Sequence, residues 1–223
     1  MLSAVINFLF PAKCIGCSES GAYLCGQCLS KCEPARPPTE PWIASLFSYH
    51  DKLVKQAIWD IKYHGRFVAA HAFGEKLAEA VERLLRSSGV ISDATITAQT
   101  ESEPIIIVPI PASQSGKKKR GYNQAAIIAR AMAEHVDFHA KIVENALIKV
   151  KVTERQATLK DRSVRLGNMQ GAFAVNPKVA GLLCGRTVLL VDDVTTTGAT
   201  LVDARRAMME VGVKEVQAVT VGH

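Results

Sequence analysis

A chain of 223 residues with 48% hydrophobic content and a mean hydropathy of +0.11 can bury a full α/β core plus a small appendage, and is too apolar for extended disorder. Its 27 Lys and Arg against 21 Asp and Glu leave a net charge of +6, which favours anionic partners without choosing among a phosphorylated metabolite, nucleic acid and an anionic surface. No apolar run reaches the roughly 18 residues of a membrane-spanning helix. No basic residue precedes the short apolar run at 4–10, so the expectation is a cytoplasmic protein without membrane insertion, its cysteines thiols or metal ligands before disulfides.

Residues 1–12 read as a short helix with Ser3 as N-cap and Pro11 ending it. Cys14-x₂-Cys17 and Cys25-x₂-Cys28 follow, two knuckles separated by seven residues. Each pair can turn two thiolates onto one tetrahedral ion, so Cys14, Cys17, Cys25 and Cys28 together make a Cys₄ zinc site. So short a segment has no core of its own, and a metal would supply its folding energy. Redox Cys-x-x-Cys pairs and disulfides are the alternatives. Gly16 and Gly26 fit tight knuckle turns. Cys32 reads as a spare thiol that could substitute as a ligand, and Cys184 as packing beside a strand. Four prolines within 33–41 mark a linker, which divides the chain into a metal module over 1–40 and a second domain over 41–223.

Beyond the linker, Ile43 to Tyr49 predicts a strand and Asp51 to Lys62 a helix. Leu53, Val54, Ala57, Ile58 and Ile61 form the helix's apolar face, and Gly65 its stop. Lys62 and Arg66 are either favourable charges at the helix end or phosphate contacts. A second helix spans about Ala69 to Arg86, and the polar stretch Ser87 to Glu103 is a surface loop. Ile105-Ile106-Ile107-Val108 is a strand buried on both faces, running into a proline-stiffened loop and the basic run Lys117 to Arg120 before a helix that begins at Asn123. An anion at that corner would meet the basic side chains and the helix dipole. Ile148, Val150 and Val152 alternate with Lys149 and Lys151 as a half-exposed strand. From Lys149 to Arg165 six basic residues stand against two acids, either a cationic lid over a polyanion or an exposed helix with ion pairs.

The stretch Val188 to Thr200 organises the rest. Four apolar residues form a buried strand, Asp192 and Asp193 sit at its carboxyl end, and Thr195-Thr196-Thr197-Gly198-Ala199-Thr200 leads into a helix over 199–211; Val216 to Val221 is the last strand. Ligands of open α/β sheets bind beyond the carboxyl ends of strands, where a hydroxyl-rich loop entering a helix offers donors to an anion. Carboxylates beside such a pocket would repel a bare phosphate but suit a sugar phosphate, whose hydroxyls or metal they can hold. The absence of a Gly-Lys-Ser/Thr ending excludes a Walker A loop.

This last stretch resembles the phosphoribosyl-pyrophosphate (PRPP) loop of type I phosphoribosyltransferases. With the Cys₄ knuckles, Ile61-Lys62-Tyr63-His64-Gly65, Val108-Pro109-Ile110-Pro111 and Arg120-Gly121-Tyr122-Asn123-Gln124, nearly the whole chain resembles the ComF family of bacterial phosphoribosyltransferase-like proteins. Thr153-x₂-Gln156-x₂-Leu159 and Arg162…Asn168…Gly171-Ala172-Phe173 extend the match. The resemblance implies a type I phosphoribosyltransferase-like fold, a parallel sheet flanked by helices, with a small N-terminal zinc module. It also implies PRPP binding with Mg²⁺ and a link to DNA uptake in natural transformation. Asp192 and Asp193 would face the ribose hydroxyls, and Thr195, Thr196, Thr197, Gly198, Ala199 and Thr200 would cradle the 5′-phosphate. Lys62, Arg120, Arg155 and Arg162 are candidate pyrophosphate or lid contacts. Either the chain transfers phosphoribose and releases pyrophosphate, or it is a catalytically silent PRPP-sensing adaptor that binds single-stranded DNA or a DNA-processing partner. Aromatics near the Cys₄ module are few, Tyr23 and Trp42, which gives little support to base stacking there.

Overall fold

The computed structural model describes residues 12–36, 40–92, 103–112, 120–150 and 171–223. Strands β1 (Ile43–Phe47), β2 (Ile105–Pro109), β3 (Ala140–Ile142), β6 (Thr187–Val194) and β7 (Glu215–Gly222) form one parallel sheet in the order β1-β7-β6-β2-β3. A separate antiparallel pair joins β4 (Leu147–Lys149) to β5 (Phe173–Val175). Six helices accompany them among the described residues: α1 (Gly26–Leu29), α2 (Lys52–His64), α3 (Val68–Ser87), α4 (Gln124–Ala133), α5 (Ala180–Leu183) and α6 (Ala199–Glu210).

The sheet explains the continuous apolar runs, because both of its faces are covered. Ile105, Ile107, Leu189, Val191 and Val219 pack with α2, α3 and α4 on one face. Ile106, Val108, Val188, Leu190 and Ala218 pack with Leu201, Ala204 and Met208 of α6 on the other. The two crossovers therefore diverge: β2–α4–β3 runs one way across the sheet and β6–α6–β7 runs the other. Their starting strands are neighbours, with Pro109 opposite Val191. A crevice opens where neighbouring strands send their connections to opposite faces.

Helix α2 begins where Asp51 accepts from the Leu53 and Val54 N–H groups at 2.8 and 3.1 Å, and it stops at Gly65 in the left-handed region (φ +62°). Its fully buried face is Val54, Ala57, Ile58 and Ile61, as the periodicity predicts, whereas Leu53 is only partly buried. The cysteine segment packs directly on this helix: Cys14, Tyr23, Leu24, Leu29 and Cys32 share one apolar cluster with the α2–α4 side of the core. The first linker residues add to the edge of β1, with the Ala35 N–H bonded to the Leu46 carbonyl at 3.0 Å.

Several expectations need correction. No alternation appears around Lys149: Ile148 and Val150 are each 44% exposed and Lys149 is exposed as well, while Leu147 is buried and the Lys149 ammonium lies 5.4 Å from the Phe173 ring centre. The pair β4–β5 is anchored through Leu147 and Phe173, and the residues after Leu147 are open to solvent, Ile148 and Lys149 alike. Cys184 is exposed and not a packing residue. Gly26 opens α1 with open space around its Cα, so no tight turn requires a glycine there. Residues 1–11 of the helix expected over 1–12, residues 93–102 of the loop expected over 87–103, Lys117 to Lys119 of the basic run and residues 151–165 of the cationic segment expected over 149–165, with Arg155 and Arg162, lie outside the described residues.

The β4–β5 pair hangs on one buried carboxylate. Asp203 of α6, 3% exposed, accepts from the Gly171 N–H at 2.8 Å, the Phe173 N–H at 2.9 Å and the Arg206 Nε at 2.9 Å. Replacing Asp203 by Ala would strand two backbone donors and a guanidinium. The expected loss is about 3 kcal/mol, read as a lower urea midpoint with unchanged slope. An unchanged midpoint would show that the pair is held by packing alone.

Candidate functional site

Strand alternation sends neighbouring side chains to opposite faces. Asp193 accordingly meets the α2 face, where the Lys62 ammonium stands 3.1 Å from its Oδ2 in an ion pair without hydrogen-bond alignment. Asp193 is buried, at 5% exposure, whereas Asp192 is half-buried. Asp192 Oδ1 accepts from the Asp193 N–H at 2.8 Å. Burial first and the Asp193 charge second push the Asp192 carboxyl well above the ordinary range, to about 8, against the pull of that N–H and of Lys62 and Lys149. Asp192 thus ionises at a cost that a ligand's cation or hydroxyl donors would relieve.

Beyond the strand, the Thr195 N–H is fixed to the Gly222 carbonyl at 3.0 Å and Thr195 is buried, while Thr196 and Thr197 are exposed. Gly198 takes a left-handed conformation (φ +74°) that turns the loop into α6, and no side chain caps that helix through its N-cap residue. The Thr197 hydroxyl accepts from the Ala199 N–H at 3.4 Å, so a loop hydroxyl stands at the first N–H of the helix, the place an anion would take. His223 braces the loop from behind: its Nε2 lies 2.9 Å from the Thr196 carbonyl and its Nδ1 3.1 Å from the Arg36 carbonyl. Sequence reading missed this brace, since nothing in local spacing links residues 196 and 223.

Across the crevice, Asn123 closes the loop after β2. Its amide donates to the Ile110 carbonyl at 3.0 Å and its oxygen accepts from the Ala125 N–H. The Tyr122 hydroxyl donates to the Ile61 carbonyl at 2.6 Å, tying the start of α4 to the end of α2. Arg120 bonds Gln124 and lies 5.9 Å over the Tyr63 ring, with its Nε unpartnered. So Lys62, Asp192, Asp193 and Thr195–Thr200 come together, and Arg120 stands beside the neighbour of Lys62. A cavity of about 500 Å³ opens elsewhere, between α3 and α4, and none of Asp192–Thr200 lines it.

The second site is the four-cysteine cluster. The sulfurs of Cys14, Cys17, Cys25 and Cys28 all lie within 4.8 Å of one another, and those of Cys17 and Cys25 are 3.7 Å apart. Four ligands about 2.3 Å from a tetrahedral ion stand about 3.8 Å from each other, so the cluster can hold a metal such as zinc. Its electrostatics agree. The Cys25 N–H, 3.3 Å away, leads the effects that lower the Cys14 thiol to about 6. Hydrogen bonding with Cys25, then burial, pushes Cys28 up to about 12. Four thiolates cannot coexist there without a cation to share them. A Cβ at Gly16 would meet Cys28 Sγ at 2.7 Å, so that knuckle does need its glycine. Cys32 stands apart, buried, donating to the Cys28 carbonyl at 3.5 Å.

Between the two sites lies Asp60 of α2, 1% exposed. It accepts from the Tyr23 hydroxyl, from His64 Nδ1 at 2.6 Å and from Arg66 at 3.3 Å. Burial alone would raise its carboxyl; the bonds from Tyr23, His64 and Gln56 and the Arg66 charge hold it below the usual range.

The phosphoribosyl transferase domain matches residues 97–222. The DNA utilization protein YhgH of Escherichia coli K12 is 28% identical over 195 residues, covering 86% of this chain and 74% of that protein. Competence protein F of Haemophilus influenzae is 33% identical over 129 residues, 57% of this chain and 53% of its own length. Competence protein ComFC of Streptococcus pneumoniae is 25% identical over 174 residues, 78% and 64% of the two chains. The match to the domain spans both sides of the crevice, and the chain belongs to the phosphoribosyl transferase domain family.

Proposed function

We propose that the crevice between the ends of β2 and β6 binds PRPP with Mg²⁺. The observation that carries this is the meeting of a helix N-terminus entered through Gly198, a threonine loop and the adjacent Asp192 and Asp193, with the Asp192 carboxyl raised, at one switch point. Thr195–Thr200 would hold the 5′-phosphate through N–H and O–H donors. Asp192 and Asp193 would take the ribose hydroxyls, and Lys62 and Arg120 would neutralise pyrophosphate oxygens. Magnesium, when bound with the ligand, supplies further charge neutralisation on the leaving group. The bond that breaks in a transfer joins ribose C1 to pyrophosphate, through an oxocarbenium-like state. Such a state needs orientation, charge and exclusion of water more than a protein nucleophile.

The cysteine cluster is read as a structural zinc site, and the 1–40 module as a support for the 41–223 domain. The names carried by the relatives support a role in handling DNA, which this reading places in the cytoplasm; no helix among the described residues is long and apolar enough to cross a membrane. Calorimetry with PRPP is expected to give Mg²⁺-dependent binding to one site per chain. Release of pyrophosphate with a panel of bases and amines would identify a transferase. Binding without release across that panel would favour the PRPP-sensing adaptor, and no binding at all would sink both.

A further inference from the structure

The end of β7 holds the threonine loop at two consecutive residues. The Gly222 carbonyl accepts from the Thr195 N–H at 3.0 Å, and the His223 ring reaches the Thr196 carbonyl at 2.9 Å. The first contact is set from inside the sheet. Thr220, fully buried between Val219 and Val221, donates to the same Gly222 carbonyl at 3.1 Å, and its Oγ1 lies 2.8 Å from the Ser45 hydroxyl of β1. The second contact comes from a side chain that β7 itself does not need. The His223 backbone is already paired beside β1, its N–H with the Phe47 carbonyl at 3.0 Å and its carbonyl with the Tyr49 N–H at 2.9 Å. A carbonyl oxygen only accepts, so Nε2 holds Thr196 as a donor.

Peptide geometry turns this contact into an orientation. In a planar trans peptide the carbonyl and the N–H of the next residue point in opposite directions. Holding the Thr196 carbonyl toward His223 therefore turns the Thr197 N–H away from the ring, in a loop whose residues 196 and 197 are exposed. Among the described residues none accepts from that N–H. A backbone donor fixed in direction and left without a protein acceptor is what a phosphate site uses.

We propose that His223 is the positioning residue of the 5′-phosphate loop: it fixes the 196–197 peptide so that the Thr197 N–H is aimed at the phosphate. The proposal rests on the PRPP reading for its ligand and on the ring contact alone for the orientation. It concerns one half of that ligand. Asp192, Asp193 and Lys62, which would meet the ribose and the pyrophosphate, are not bonded to the His223 ring, whose contacts are Thr196 and Arg36.

Ribose 5-phosphate and pyrophosphate, titrated separately by calorimetry, divide the site into its two halves. His223→Ala is expected to weaken ribose 5-phosphate binding by about tenfold, the loss of one hydrogen bond to a charged group, and to leave pyrophosphate affinity unchanged. His223→Gln, whose amide can donate to the same carbonyl, should recover most of that loss. Equal ribose 5-phosphate affinity in His223→Ala would overturn the proposal. So would an equal loss for both probes, which marks a merely structural role, or a Gln variant as weak as the Ala one. The orientation is read without ligand from the Thr197 amide resonance, which should shift in His223→Ala and return toward its wild-type position in His223→Gln. An unmoved resonance refutes the brace. A moved resonance in a protein that binds neither probe keeps the orientation and overturns its role toward phosphate, so failure of the PRPP reading is told apart from failure of the brace.

Discussion

Chelation of the metal, or Cys25→Ser with Cys28→Ser, is expected to unfold the cysteine segment and to weaken PRPP binding although no cysteine lies in the crevice. The segment has little apolar surface of its own, and metal binding to a Cys₄ set of this kind contributes about 10–16 kcal/mol. What it holds in place is α2. At the start of that helix the Glu33 N–H reaches the capping Asp51 at 3.1 Å, and Gly16 lets the first knuckle sit against Leu53. Near its end Tyr23 donates to Asp60, two residues before the Lys62 that pairs with Asp193. Losing the module leaves Asp60 with one fewer donor and frees the helix end that aims Lys62. We expect one zinc per chain by elemental analysis, a large drop in melting temperature on metal removal, and a parallel fall in PRPP affinity in calorimetry that zinc restores. Metal-free protein that melts and binds as before would show that the cluster is an ornament on an independent domain. A lower melting temperature with unchanged PRPP affinity would separate stability from the site.

What the sequence made legible follows from local physics. Buried parallel strands are continuous apolar runs, so β2 and β6 were plain, and α2 declared both its Asp51 start and its Gly65 stop. Cys-x-x-Cys spacing declared its ligands because neighbours in sequence must be neighbours in space. Legibility failed where long-range packing decides. The three-residue strands β3 and β5 are too short for a period to register, and they exist because β2 and β4 offer free edges to them. Lys149 is exposed as its type suggests, but only the fold shows that its ammonium lies over the Phe173 ring and that its charge reaches Asp192. Asp60, Asp203 and His223 look like ordinary polar residues of a helix or strand end. Asp60 also holds Tyr23 from 37 residues away, Asp203 holds Gly171 and Phe173 from 32 and 30, and His223 reaches Thr196 and Arg36 from 27 and 187, so only the fold shows what each one joins.

The adjacent substitutions Asp192→Asn and Asp193→Asn should have the same effect on binding and opposite effects on stability. Each removes a carboxylate that would accept from a ribose hydroxyl or share a cation. A hydrogen bond to a charged group is worth about 1.5–3 kcal/mol, so each should weaken Mg²⁺-PRPP binding by roughly 10- to 100-fold and the pair should abolish it. Undiminished binding would remove the acids from the site. Stability divides them because their surroundings differ. The Asp192 carboxyl is raised, from an ordinary 3.8 to about 8, by burial and by the charge of Asp193. An acid raised on folding contributes stability that is full below its unfolded value and is lost as pH rises through its folded value. The amide introduced by Asp192→Asn cannot ionise and so escapes that loss; the variant should melt higher than the wild type above pH 8 and lose this advantage near pH 4. Asp193→Asn takes away the partner of Lys62, whose side chain is only 20% exposed, and should melt lower at neutral pH. The same raised carboxyl makes ligand binding pH-dependent. A ligand that draws out the ionised form of Asp192 should bind more tightly as pH rises toward 8, with proton release visible as a dependence of calorimetric heat on buffer ionisation enthalpy. That release should vanish in Asp192→Asn, which separates the titration of the protein from that of the phosphates. A higher melting temperature for Asp192→Asn above pH 8, together with its loss of PRPP binding, would show that ligand binding and not packing accounts for the residue.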